Sequence, residues 1–415
     1  MPSPPSAPES KPRSLQPEYE PAEAPSGISS TAVAMVVHSD YIHDYRVRRE
    51  AEALCESGLS VCVIAASVAP DDRAPFALNG VDVHPVALKR ARGKLRYLEM
   101  MRAVRRILAH TDTDIIHAHD LDALIATAKI ARNRGNILIY DSHELHTELH
   151  SLQNRRLTRS LWRYYEKKYI PYAHYVLTVS EGIARELQRR YGLLHKPSVL
   201  RNLTEIHPDN PLTGAAKDQF ENVREQLPQT KYTALYQGVL RDGRGLEMMI
   251  EAVAAEPEWG LLICGDGPIR QLLEQGVAHL EAGDRIRFTG MIPREVLAGI
   301  TPYCHAGLVL TEPLGLSHYY SLPNKLSEYV HAQLPVIATE LPEMTRIIRQ
   351  YKIGCTIPVA SFTVESIRGG LAYITKHQRR LRQNTPAAAR ELSWTREKKI
   401  LQNLYYLIIS RQQKS

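Results

Sequence analysis

The chain has 415 residues, 44% hydrophobic and 23% charged, the make-up of a folded globular protein long enough for two or three domains. A net charge of +7 favours anionic partners only weakly, and the basic residues are not interleaved with base-stacking aromatics, which argues against a nucleic-acid binder. The odd, scattered cysteines (Cys55, Cys62, Cys264, Cys304, Cys355), the lack of any apolar run near the ~18 residues of a membrane span, and an N-terminus without a secretory core predict a cytoplasmic protein, at most peripheral to a membrane.

Residues 1–30 are rich in Pro, Ser, Ala and Glu, lack hydrophobic periodicity and are expected to be a disordered tail. From Thr31 onward, short apolar runs alternate with amphipathic helical stretches. The runs are Val33–Val37, Leu59–Ala65, Val81–Val86, Asp114–His117, Ile137–Tyr140, Tyr175–Val179 and Ser198–Leu200. A polar break follows over 202–230. The alternation then restarts with Tyr232–Tyr236, Gly260–Cys264, Arg285–Thr289, Gly307–Leu310, Pro335–Ala338 and Gly354–Ile357. Continuous apolar strands separated by helices predict parallel sheets covered on both faces. The expected fold class is α/β: two Rossmann-like doubly wound domains, 31–205 and 206–392, facing across a cleft. A final amphipathic helix within 393–415 is expected to pack back on the first domain. Ligands of such sheets gather at the carboxyl ends of the strands.

In the first half, Asp44-Tyr-Arg-Val opens a helix that Asp44 is suited to cap, with Arg46 and Arg49 on one face; Arg46 is expected to reach across the cleft toward phosphate. Two stretches are markedly basic: eight basic residues and one acid from Lys89 to Arg106, six and one from Arg155 to Lys168. Solvated helix faces explain them; so does attraction to anionic lipid headgroups, given Leu95, Tyr97, Leu98, Met100 and Met101 among the first cluster. Asp114-Ile-Ile-His-Ala-His-Asp ends a strand with His117 and His119 on one face, where cleft chemistry belongs. Asp120-Leu-Asp reads as helix capping rather than a metal motif. Asp141-Ser-His-Glu ends the next strand and offers His143 and Glu144 to the same cleft. The spacing of these His, Asp and Glu residues matches no metal motif, so no metal is expected. Ser180 reads as a helix cap.

The second half carries a series of turns suited to a nucleotide. Gln237-Gly-Val-Leu-Arg-Asp-Gly-Arg-Gly follows a strand: Gly238 lets the backbone approach a ligand, and Arg241 and Arg244 supply fixed positive charge for a phosphate. Cys264-Gly-Asp-Gly-Pro is a second glycine turn, with Gly265 first. Phe288-Thr-Gly-Met-Ile-Pro offers Gly290 and Ile292 as a bed for a flat base. Ser-Leu-Pro-Asn-Lys-Leu-Ser-Glu-Tyr (321–329) reads as a helix start, with Ser321 as its cap and Pro323 in its first turn. Asn324, Lys325 and Glu328 then share one face. Phosphate at the helix tip and a ribose diol on Glu328 describe a nucleotide site.

Taken together, the Gly-Arg-Gly turn, Gly-Asp-Gly-Pro, Phe-Thr-Gly-x-Ile-Pro, Pro-Asn-Lys-x-x-Glu-Tyr and Leu-Pro-Val-Ile-Ala resemble, in that order, the donor half of family-4 glycosyltransferases, retaining enzymes of the GT-B fold; the Asp-x-Arg-Val segment resembles one subgroup. The resemblance runs from Thr31 to the C-terminus. It implies donor-diphosphate contact at Arg244, with Arg241 in place of an Arg usually found where Val239 stands. It implies ribose contact at Glu328 and places His119 near the transferred sugar; His143 and Glu144, at the neighbouring strand end, are the further acceptor or catalytic candidates. The family's first glutamate falls on Tyr320; Glu312 either stands in for it or the subgroup dispenses with it. The function implied is metal-independent transfer of a sugar from a UDP- or GDP-linked donor to a hydroxyl of a saccharide or lipid-linked acceptor, with no cofactor. The alternatives are a sugar-nucleotide epimerase of the same fold and a nucleotide-binding peripheral protein that has lost catalysis.

Overall fold

The computed structural model describes residues 32–67, 74–89, 94–149, 152, 154–203 and 211–412. The expected tail 1–30 and part of the 202–230 break lie outside them. In chain order the first unit contains β1 (Ala32–Val37), α1 (Tyr45–Glu56), β2 (Ser60–Ser67), β3 (Phe76–Leu78), β4 (Val81–Ala87), α2 (Lys94–Ala109), β5 (Ile115–His119), α3 (Asp120–Arg134), β6 (Ile137–Ser142), α4 (Arg156–Tyr169), β7 (Tyr175–Thr178), α5 (Glu181–Tyr191) and β8 (Ser198–Val199). Its eight strands run in the order β3-β4-β2-β1-β5-β6-β7-β8. All neighbours are parallel except the hairpin of β3 and β4, a short edge strand that apolar patterning does not announce.

The second unit contains α6 (Gly214–Glu225), β9 (Tyr232–Gln237), α7 (Leu246–Ala254), β10 (Trp259–Cys264), α8 (Arg270–His279), β11 (Ile286–Gly290), α9 (Arg294–Ile300), β12 (Ala306–Val309), α10 (Leu316–Tyr319), α11 (Asn324–His331), β13 (Val336–Thr339), α12 (Pro342–Tyr351), β14 (Gly354–Ile357), the long α13 (Val364–Glu391) and α14 (Trp394–Gln412). Its six-stranded sheet is parallel throughout, in the order β11-β10-β9-β12-β13-β14. In both sheets the strand order reverses beside the first strand, between β1 and β5 and between β9 and β12, so both have a switch point at which loops diverge and leave a crevice.

Burial explains the near-continuous apolar strands. β5 and β10 are buried at every residue, because helices cover both faces of each sheet. In the first unit α1 and α14 pack on one face with Val33, Met35 and Ile139, while α2, α3 and α4 pack on the other with Ala34, Val36 and Ile116. Helix α14 therefore belongs spatially to the first unit although it ends the chain. Lys398 pairs with Glu56, Gln402 Nε2 donates to the Ser57 hydroxyl at 2.8 Å, and the Arg49 guanidinium lies 5.0 Å from the Trp394 ring. Among the described residues no helix is long and apolar enough to cross a membrane.

Candidate functional site: a two-walled cleft

The carboxyl ends of the two sheets face each other across a cleft of about 310 Å³. Asp44, Arg46, His143, Glu144 and Asn202 line one side; Arg241, Arg244, Ser317, His318, Ser321 and Asn324 line the other.

The second wall rests on three stacked glycine turns. Gly238 N–H donates to Cys264 O at 2.9 Å, and Leu240 N–H to Asp266 O at 2.9 Å, so the turns after β9 and β10 are zipped together. Gly265 and Gly290 bridge the second turn to the third. A Cβ on Gly265 would lie 1.9 Å from Gly238 O, so only glycine permits this approach. Glu312 belongs to the same neighbourhood: its N–H donates to Gly243 O at 3.0 Å, which sets it against the Arg244 turn. Gly238, Gly265, Gly290 and Ile292 are not among the residues that line the cleft; Ile292 packs against the apolar core of the second unit.

Charge on this wall is one-sided. Arg241 and Arg244 border the cleft, and Lys325 lies behind them with its Nζ 3.9 Å from the centre of the Tyr236 ring. Burial and the neighbouring Arg244 and Arg241 push the Lys325 ammonium down to about 7, against the opposing pull of Glu328. Arg244 is lowered by burial and by Arg241. Basic groups crowded together, with Lys325 lowered by both arginines and Arg244 by Arg241, are arranged for an anion. Helix α11 adds its N-terminus, though not as the sequence predicts. Its cap is Pro323 and its first residue Asn324; Ser321 sits before it, with its hydroxyl donating to His318 O at 2.8 Å. The short helix α10 consumes the residues expected to lead into α11, so Ser321 closes α10 instead. Leu326 N–H bonds Pro323 O, leaving the N–H groups of Asn324 and Lys325 at the open helix end beside the cleft.

Glu328 is buried one turn further in, where it accepts from Gln237 Nε2 and, at 3.2 Å, from Arg294. Neither partner was expected to serve the site. Both have a sequence signal: Gln237 is the last residue of β9, and Arg294 directly follows the Phe-Thr-Gly-Met-Ile-Pro turn. The guanidinium of Arg294 also lies 5.1 Å from the ring centre of Tyr45, at the start of α1 on the opposite wall.

On the first wall Asp44 caps α1 as expected, accepting from Val47 N–H at 3.1 Å. Arg46 does not reach across the cleft. It is 5% exposed and held by Asp141 at 2.7 Å, Glu50 at 3.0 Å and Leu200 O at 3.0 Å. Once two buried carboxylates share a guanidinium, releasing it would strand both charges. Burial alone would raise the Asp141 carboxyl, but Arg46 and His143 hold it well below the usual range. The donor atoms of Glu50, His117, His119 and Asp141 lie within 4.8 Å of one another, a composition that would suit a metal, yet Arg46 already supplies the counter-charge to both carboxylates.

His119 is completely buried and does not line the cleft; it stacks on His117 and meets His143, Nδ1 to Nε2, at 3.1 Å. On this wall, His143 is the imidazole that lines the cleft. Its Nε2 lies 3.2 Å from Asp141 and its Nδ1 3.4 Å from Asp120. Burial opposes its charge, but Asp120 and Asp141 raise it to about 9, so at neutral pH it is a cation with two N–H donors. Asp120, expected to cap α3, instead accepts from His143 N–H at 3.0 Å, with a left-handed backbone of φ +67°. A non-glycine residue held there stores strain that the His143 clamp offsets. Glu144 lines the cleft beside it, its carboxyl raised by burial and by Asp120.

The walls also touch directly. The Tyr320 ring lies so close to Gly182 that a Cβ there would come within 2.1 Å, and it joins Leu145, Ile183 and Leu187 in an apolar cluster. Glu343 of α12 accepts from Gly182 N–H, at the first turn of α5, at 2.8 Å. The position where the resemblance calls for a glutamate is thus an aromatic contact between the two units.

Residues 44–202 match the family model for a glycosyl transferase 4-like domain, and residues 218–392 match that for glycosyl transferases group 1. Among solved structures, sucrose-phosphate synthase from Thermosynechococcus elongatus superposes with a TM-score of 0.76 at 18% identity, over 92% of this chain and 100% of that one. Anabaena HepE in complex with UDP and glucose gives 0.66 at 14% identity, over 92% and 100%. An α,α-trehalose-phosphate synthase (UDP-forming) from Burkholderia vietnamiensis gives 0.66 at 13% identity, again over 92% and 100%. At these identities the likeness is one of fold. No curated protein sequence matches the chain.

Proposed function

Because the chain is a glycosyltransferase of the GT-B fold, with a glycosyl transferase 4-like domain followed by a group 1 domain, we propose that it moves a sugar from a nucleotide-diphosphate donor to a hydroxyl acceptor with retention of anomeric configuration. The observation that carries this reading is the convergence of Arg241, Arg244, Lys325 and the open end of α11 on one wall, with Glu328 one helical turn behind. Cations and helix N–H groups take the diphosphate, and Glu328 takes the ribose diol in exchange for its bond to Arg294. UDP- or GDP-linked sugars are the donors proposed.

In the reaction the acceptor oxygen bonds to the anomeric carbon on the face from which the phosphate oxygen departs, and the acceptor proton passes to that phosphate oxygen. Charge develops on the diphosphate, where Arg244, Arg241 and Lys325 stabilise it. His143 is charged and already bonded to carboxylates, so its role is to donate hydrogen bonds and hold the acceptor rather than to take its proton. No side chain is required as nucleophile, and no metal is required for charge.

The acceptor side suggests delivery from a membrane surface. The N-terminal halves of α2 and α4 meet through the Tyr97 and Trp162 rings, 5.5 Å apart, and this brings the two basic stretches together. Leu95, Leu98, Leu157, Leu161 and Tyr164 are exposed there, Leu157 at 88%. Arg102, Arg105, Arg155, Arg156 and Lys167 form no ion pair among the described residues. An apolar stripe bordered by unneutralised cations fits an anionic bilayer, and hence a lipid-linked acceptor.

The test is direct. UDP or GDP is expected to raise the melting temperature and to bind by calorimetry, and Glu328→Ala to weaken that binding by about tenfold or more through loss of the charge-assisted ribose bonds. Unchanged affinity in Glu328→Ala would remove the ribose assignment. Radiolabelled donor incubated with a lipid extract separates transfer, which labels an acceptor, from epimerisation, which yields only an isomeric donor.

A further inference from the structure

Tyr405 lies on the last helix of the chain, 288 residues from His117 in sequence, yet its hydroxyl is 2.9 Å from His117 Nδ1. Both residues are fully buried. Burial, with Glu50 and Asp141 nearby, raises the phenol well above its ordinary value, so it keeps its proton. A phenol that keeps its proton beside an imidazole nitrogen donates to it, which places the His117 proton on Nε2. Burial, then His119, lowers His117 well below its ordinary value, so it stays neutral. The His117 ring stacks on His119 with centroids 4.3 Å apart and planes 23° from parallel. His119 Nδ1 in turn meets His143 Nε2, and His143 opens onto the cleft.

The hydroxyl is not needed to dock the helix. Leu401, Ile408 and Ile409 bury α14 against the first unit, and Lys398 and Gln402 tie it to α1. A phenylalanine would fill the same space without the cost of desolvating a hydroxyl and an imidazole. The polar pair therefore has a use other than packing.

We propose that Tyr405 is a positioning residue for the transfer site: through His117 and the stacked His119 it holds the His143 ring with one nitrogen toward Asp120 and the other toward Asp141. The C-terminal helix, which follows the donor-binding unit in the chain, thereby orients a group on the acceptor wall. The groups that face His143 are Asp120 from α3, Asp141 from β6, His119 from β5, Arg46, Glu50 and Asp44 from α1 and its cap, and the adjacent Glu144. Removing the hydroxyl frees His117 to rotate, loosens His119 behind it, and lengthens the contacts that keep His143 charged.

This rests on the transferase reading only for its kinetic arm. The experiment is Tyr405→Phe in the full chain, with three measurements. NMR titration of His143 in the ligand-free protein is expected to show proton affinity reduced about threefold or more. Binding of UDP or GDP is expected to stay within about twofold, because no donor residue has moved. kcat is expected to fall about tenfold with its alkaline limb at lower pH, and the loss to be non-additive with that of His143→Gln. His117→Asn, which removes the imidazole that Tyr405 holds, is the second variant and is expected to move His143 the same way. His143 titrating as in the wild type in either folded variant overturns the proposal. A lowered His143 titration without any transferase activity in the wild type would uphold the positioning role and reject the transferase reading.

Discussion

At the scale of the residue, the site is decided by which charges have partners. Lys325 has its pKa depressed to about 7 by burial and by Arg244 and Arg241, far below its unfolded value of 10.5. The unfolded chain therefore binds more protons than the native one between those values, and Lys325 makes stability rise with pH across that window. A bound diphosphate reverses the balance by supplying the missing negative charge. Nucleotide binding at pH 8 is expected to take up as much as about one proton per site. Affinity should rise as pH falls from 10 toward 7 and level off below. Calorimetry in buffers of different ionisation enthalpy measures the uptake; a value of zero would mean that Lys325 does not face the phosphate. His143 has the opposite sign. Its pKa is raised to about 9, so its stabilising contribution is complete below about pH 6.5 and is lost as pH rises through 9. The residue types of this site were legible in sequence, but their states were not. Arg46 and His119 look like cleft residues because they stand at a helix start and a strand end. Glu50, one turn along the same helix, and Asp141, 95 residues away on β6, neutralise Arg46, and His143 from the end of the neighbouring strand meets His119; only the packed sheet brings Asp141 and His143 to them.

At the scale of the element, strands and turns were legible because their causes are local. The glycine turns follow strands and carry residues that only close backbone approach explains. Gly265→Ala would place a Cβ 1.9 Å from Gly238 O and force two turns apart. A loss of about 3 kcal/mol or more in urea unfolding is expected, with nucleotide binding lost alongside. A variant of wild-type stability would show that the two turns are not in contact in solution. Boundaries near α11 were less legible. Ser321 and Pro323 both carry helix-start signals, and local chemistry does not say that Leu316–Tyr319 forms its own turn of helix and takes Ser321 with it. The edge strand β3 is only three residues long, too short for periodicity to register.

At the scale of the whole molecule, two units become one site through few contacts. Tyr320 on Gly182, Glu343 on the first turn of α5, and Arg294 between Glu328 and Tyr45 cross the cleft. Under the proposed function, a ribose that drew Glu328 away from Arg294 would leave that guanidinium to Tyr45, so donor binding and the meeting of the walls would share a residue. The face made by α2 and α4 belongs to this scale as well. Wild-type protein is expected to sediment with anionic phosphatidylglycerol vesicles and not with neutral ones, and Leu157→Ser with Leu161→Ser to cut that binding about a hundredfold or more, since each leucine forfeits about 1.5–3 kcal/mol of burial. Binding to neither kind of vesicle would leave the cation-bordered stripe a solvated surface, and equal binding to both would mean that the cations play no part in it.

The alternation of apolar runs and amphipathic helices determined two doubly wound units, and the ordered turns from Gly238 to Glu328 marked the wall on which the proposed nucleotide site is built, because those signals lie within a strand, a turn or one helical face. Only the tertiary structure decided that His143 rather than His119 opens on the cleft, that Arg46 is an anchor, that Tyr320 is an interdomain contact, and that a tyrosine on the final helix sits under the acceptor wall. Each of those depends on how deeply a charged or polar group is buried and on which distant partner it meets there, and burial is a property of the packed whole.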